Sequence, residues 1–182
     1  MNNMCSAVTA ICAMIAVVFA FWSIRITIGD RRADRQGRRP YFTISAPGIK
    51  ELSESPPYRI QITFANEGFN PATGFEGEIL FLDASLKEEP ELVVELSIAN
   101  DIPRNSSSQW FRDEFLPGSN MPKKYIVIRI DYFDPLLKEE FRQSFFMKWR
   151  GVKNRILKPD FTHITKSEKA KVEEYLKAKS LL

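Results

Sequence analysis

The chain has 182 residues, with 26 lysines and arginines against 23 aspartates and glutamates, a formal net charge of +3. Six of those arginines and two of the aspartates fall between Arg25 and Arg39. Without them 20 basic residues face 21 acidic ones, so the remainder has no basic excess to neutralise a phosphate backbone, which speaks against nucleic acid as a partner. Both cysteines, Cys5 and Cys12, lie near the amino terminus, leaving the rest of the chain without a disulfide or a thiolate ligand set.

Met4 to Ile24 is an uncharged, mostly apolar run. As a helix rising about 1.5 Å per residue it comes close to the roughly 30 Å of bilayer hydrocarbon. A cleaved signal peptide needs a basic start, a shorter apolar core and a small-residue cleavage site. Met1-Asn2-Asn3 has no charged side chain, and the run ends in bulky Phe21-Trp22-Ser23-Ile24. Cys12 follows Ile11 with no basic residue upstream, which does not fit a lipoprotein signal. Residues 1–24 are therefore expected to be a short tail and a retained transmembrane helix, a signal-anchor. Residues 25–39 form a basic juxtamembrane segment. Its arginines, Arg25, Arg31, Arg32, Arg35, Arg38 and Arg39, place the following domain in the cytoplasm by the positive-inside rule. The same arginines suit anionic lipid headgroups, at about 1 kcal/mol per basic residue near the surface.

From residue 40 to 150 the hydrophobic period is two. Tyr58, Ile60, Ile62 and Phe64 alternate with Arg59, Gln61 and Thr63. Leu92, Val94, Leu96 and Ile98 repeat the pattern, as do Ile126, Ile128, Ile130 and Tyr132, and then Phe141, Phe145, Met147 and Trp149. Turn signals separate the stripes: Pro47-Gly48, Pro56-Pro57, Asn66-Glu67-Gly68, Pro117-Gly118 and Asp134-Pro135. The strands expected are Tyr41–Ser45, Tyr58–Asn66, Thr73–Asp83, Leu92–Ile98, Ser108–Phe115, Lys124–Tyr132 and Glu140–Trp149. About seven strands in succession without helices predict an all-β domain, an immunoglobulin-like antiparallel β-sandwich, with a small barrel as the competing architecture. Residues 151–182 read as a basic linker followed by a short C-terminal helix. Thr165-Lys166-Ser167-Glu168 matches a capping box, and Val172, Tyr175 and Leu176 form one apolar stripe that suits docking on the parent domain.

Arg39-Pro40-Tyr41 shortly after a span, and the turn Asn66-Glu67-Gly68-Phe69-Asn70-Pro71-Ala72, resemble a group of uncharacterised bacterial single-pass membrane proteins. These carry an Arg-Pro-Tyr lead-in and an N-x-G-x-x-P-A turn in a β-sandwich domain. The resemblance implies anchoring in a bacterial inner membrane and the fold, and supplies no activity. The turn has its own physical account: Gly68 suits a positive φ, Asn66 can hydrogen-bond its own turn, and Pro71 sits where no ladder N–H is needed.

No constellation in the sequence points to catalysis. The single histidine, His163, falls in the linker, and no phosphate loop or Cys/His metal set occurs. Asp83, Asp131 and Asp134 invite comparison with a cation site, yet calcium needs about 6–8 oxygens from a dedicated loop, so Asp134 before Pro135 reads as a turn residue. The chain is expected to be no enzyme and to need no cofactor or metal. Phe133-Asp134-Pro135-Leu136-Leu137 places three large apolar residues in a connection that should be polar. Leu136 and Leu137 are expected to tuck inward in one helical turn; the alternative makes Phe133, Leu136 and Leu137 a contact for a partner or the bilayer. Trp110-Phe111 and Phe115-Leu116 carry the same ambiguity. The function expected is a membrane-anchored, non-catalytic module that binds another protein. Two alternatives are a small membrane effector or sensor subunit in stress or phage defence and, with inverted topology, an extracytoplasmic envelope or adhesion module.

Overall fold

A computed structural model describes residues 17–25, 27, 37–53, 58–116, 121–153 and 156–181. Among them the alternating stripes become long strands: β1 (Phe42–Glu51), β2 (Tyr58–Asn66), β3 (Thr73–Asp83), β4 (Leu92–Ile98), β5 (Ser107–Glu114), β6 (Lys124–Asp134) and β7 (Glu139–Trp149). Three shorter strands follow, β8 (Val152–Lys153), β9 (Ile156–Leu157) and β10 (Phe161–His163). β2 shows why the pattern works: Ile60, Ile62 and Phe64 are buried, while Arg59, Gln61 and Thr63 keep partial contact with water.

The strands pair antiparallel in two main sheets, ordered β1-β2-β5 and β10-β7-β6-β3-β4, with β8-β9 as a separate two-stranded ribbon. The inward residues of both main sheets form one core. Phe42, Ile60, Phe64 and Trp110 come from the smaller sheet, and Phe75, Ile79, Ile126, Ile128 and Trp149 from the larger. Phe42 meets Phe75 and Tyr132 edge to face, each with ring centroids 5.0 Å apart, joining the sheets near the start of β1. The result is a β-sandwich, and Pro40–Leu182 is one compact unit.

Two readings from the sequence need correction. Pro47-Gly48 does not end the first strand; it is a bulge within β1, where the register with β2 jumps from Ser45↔Thr63 to Gly48↔Gln61. Gly48 is needed there because a Cβ would lie 2.6 Å from the carbonyl oxygen of Pro159, whose chain bridges to β1 through Ile49 N–H at 2.8 Å. The supposed linker Arg150–His163 contains β8, β9 and β10. Gly151 turns it back at φ +77°, in a space where a Cβ would strike the Met121 carbonyl oxygen, and Phe161 delivers its ring to the core as β10 pairs with the end of β7.

The C-terminal helix (Lys166–Ala178) starts at the expected capping box: Thr165 Oγ1 accepts from Glu168 N–H, and the Glu168 carboxylate accepts from Thr165 N–H. Val172, Tyr175 and Leu176 dock on Leu80, Leu82, Tyr125 and Val127, the outward residues of β3 and β6, forming a second core.

Residues 17–25 are helical, and among the described residues no helix is long and apolar enough to cross a membrane. Residues 4–16 of the expected span, and Arg31, Arg32 and Arg35, lie outside the described residues.

Candidate functional site

The most organised polar group in the sandwich lies at the end where β2 and β6 finish. Asn66, fully buried, has its Oδ1 facing Gly68 N–H at 3.0 Å and Tyr41 N–H at 3.4 Å, and its Nδ2 donates to the carbonyls of Asn70 at 2.8 Å and Ile102 at 3.1 Å. Asn70 Nδ2 then donates to Asp134 Oδ2 at 2.8 Å. The other oxygen of Asp134 accepts from the N–H groups of Leu136 and Leu137 at 2.8 and 3.0 Å. Every one of these atoms replaces water with a protein partner, which is the condition for burying an amide or a carboxylate. The network locks the turn after β2 to the turn between β6 and β7. Asn66 to Gly68 and Asp134 to Leu136 and Leu137 are local turn bonds, whereas Asn70 to Asp134 joins residues 64 positions apart. The left-handed glycine of this region is Gly74, φ +57°, and not Gly68.

That rigid frame presents apolar tips. Phe69 is 58 % exposed, Leu136 68 % and Phe133 36 %. The expected inward tuck of Leu136 is therefore wrong: Asp134 caps the N–H groups of a tight turn closed by Lys138 N–H to Asp134 O and by Lys138 at φ +56°, and this geometry turns Leu136 outward. Leu137 is half-buried. The Arg104 guanidinium lies 4.0 Å from the centroid of Phe69.

A second surface runs along β5. It is the last strand of its sheet, and among the described residues no strand pairs with it on the side away from β2. Trp110 and Leu116 point into the core, whereas Phe111 is 57 % and Phe115 63 % exposed, which resolves the ambiguity at both pairs. Arg59 stacks 4.6 Å from the Phe111 centroid and grips Asp113 with two hydrogen bonds of 2.6 and 2.8 Å, holding that carboxyl below its ordinary range.

The third surface is a shallow polar recess on the outer side of the larger sheet, lined by Glu76, Glu78, Glu95, Ser97, Arg129 and Asp131. Arg129 pairs with Glu78, and Arg142 grips Asp131 at 2.7 and 3.2 Å, so two of its four carboxylates are held in ion pairs. The three aspartates weighed as a cation site are not brought together. Asp83 caps a turn at the opposite end and faces Lys124, Asp131 pairs on the outer face, and Asp134 is inside the network above. Among the described residues no three metal-ligating side chains cluster. His163 is an exposed residue of β10, opposite Met147, and not part of a linker.

No family model matches the chain, and no curated protein matches it. Among solved structures it is similar to one described as the X-ray structure of Northeast Structural Genomics Consortium target SoR45, at 16% identity and a TM-score of 0.43, over 69% of this chain and 95% of that one.

Proposed function

We propose that the chain is a membrane-tethered β-sandwich of immunoglobulin-like connectivity that works by binding another protein, without catalysis of its own. The connectivity reading draws on the strand order: β1-β2-β5 facing β7-β6-β3-β4 is the partition expected of that fold when its fourth strand joins the larger sheet, with β10 added at the edge. The tether is the apolar run Met4–Ile24, and the arginines of 25–39 hold the domain on the cytoplasmic side of a bacterial inner membrane. The Arg39-Pro40-Tyr41 lead-in and the Asn66–Ala72 turn support the same placement through the membrane-protein group they resemble.

One observation carries the binding reading: among the described residues β5 has a strand edge with no partner, and exposed Phe111 and Phe115 lie on it and just after it. An open edge supplies a row of backbone donors and acceptors to an extended segment of a partner, and alternate side chains supply selectivity. Tethering raises the local concentration, so a modest edge suffices. A photo-crosslinking residue at Gln109 should yield a discrete adduct in cells, and the same residue at Glu76 on the charged face should not. Equal labelling from both positions would remove the edge from consideration. Topology is tested separately: a carboxy-terminal green fluorescent reporter should glow, and an active carboxy-terminal phosphatase would place the domain outside.

A further inference from the structure

The loop end of the sandwich is apolar at its tips and hydrogen-bonded underneath. Phe69 and Leu136 stand exposed on turns and Phe133 at the end of β6, around the hydrogen bonds of Asn66, Asn70 and Asp134. The same hydrogen bonds that hold this backbone set the direction of these side chains. Pro40, where the β-unit begins, lies at this same end. Its carbonyl accepts from Tyr132 O–H at 3.1 Å, and Glu67 N–H bonds the next carbonyl, that of Tyr41, at 2.8 Å. The sequence running into Pro40 is the arginine-rich segment 25–39, preceded by the apolar run.

We propose that this end of the domain seats on the surface of an anionic phospholipid bilayer, with Phe69, Phe133 and Leu136 entering the boundary between headgroups and acyl chains. The inference rests on the tethered reading above, because a chain that leaves the bilayer and enters the sandwich at Pro40 brings this end nearest the lipid. Arg104 supplies the matching polar contact. Its guanidinium stacks on Phe69, so that when the ring enters the interface the charge is delivered to the phosphate level. The exposed carboxylates here, Glu67, Asp101, Glu139 and Glu140, with Asp30 and Asp34 of the segment just upstream, oppose the attraction, and Arg104, Lys138 and that segment's six arginines outnumber them. The seat also leaves β5 free along the side of the sandwich.

The full-length chain tests this after reconstitution into vesicles of phosphatidylcholine and phosphatidylglycerol. In a background with Cys5 and Cys12 changed to Ser, an environment-sensitive fluorophore is attached at Phe69→Cys, Leu136→Cys or, as the reference at the far end of β3, Ala84→Cys. Spin-labelled lipids should quench the first two at least about twofold more than the third, as expected of side chains in the interface and not in water. A charge at the tip, Leu136→Asp with the label at position 69, should abolish that excess while the protein still floats with the vesicles. If the chain fails to float, the tether is absent and both readings fall. If it floats and all three labels are quenched alike, the tether stands and the seat is refuted. Tip labels shielded from an aqueous quencher in native membranes, with no excess lipid quenching in vesicles holding this chain alone, would also refute it and identify the occupant as a protein.

Discussion

The outer side of the larger sheet is two surfaces built on one set of strands. Toward Asp83 and Lys124, Leu80, Leu82, Tyr125 and Val127 lie under the C-terminal helix. Toward Thr73 and Asp134, β3 and β6 turn out Glu76, Glu78, Arg129 and Asp131, of which Glu78 pairs with Arg129 and Asp131 with Arg142 of β7. The difference is visible in the burial of single residues: Ile79 to Leu82 and Lys124 to Ile128 are buried at every position, and the alternation returns only where the helix stops covering the strand. A period of two records one dry face. A continuous apolar run records two.

The largest test of this contrast lies at the helix. Leu176→Ala removes a fully buried side chain from the second core and should lower the unfolding free energy by about 2–5 kcal/mol in a urea titration. A loss below about 1 kcal/mol would mean that the sheet beneath does not depend on its cover.

The helix start should matter less. Thr165→Ala deletes the cap acceptor and should cost about 1 kcal/mol near neutral pH. Its partner Glu168 adds a pH signature. The Thr165 N–H, with Lys123 and Lys148, holds the Glu168 carboxyl at about 2, down from 4.5. Because the folded value lies below the unfolded one, the stabilisation is complete above 4.5 and disappears as the pH falls toward 2. The deficit of Glu168→Gln relative to the parent should therefore shrink over that interval in urea titrations run across a pH series. A deficit that stays constant would exclude the charge of Glu168 as its source.

The charged half should respond least. Arg142 and Asp131 are 60 % and 50 % exposed, so Arg142→Gln should change stability by no more than about 0.5 kcal/mol. A loss near that of Leu176→Ala would make the charged half a structural network in place of a free surface.

The strands were legible because each long one carries enough residues to declare its period. β2, β3 and β4 occupy the expected residues, and β6 and β7 run only slightly past theirs. β8, β9 and β10 escape a sequence reading because two or three residues declare no period; only Val152, Ile156, Leu157 and Phe161 hint that Arg150–His163 is more than a linker. The candidate site was legible in part. The apolar residues of Phe133–Leu137 stood out in a place that should be polar, but their direction depended on Asp134, whose contact with Asn70 spans 64 positions.

The apolar run followed by arginines, the two-residue period of the domain and the capping box at Thr165 are properties of neighbours along the chain and can be read from their order alone. Which strands share a sheet, how much of one face the helix covers, and how Phe69, Phe133 and Leu136 come to lie around one hydrogen-bonded frame emerge from the folded arrangement. Those outcomes depend on contacts between residues far apart in sequence, and a local pattern carries no term for such contacts.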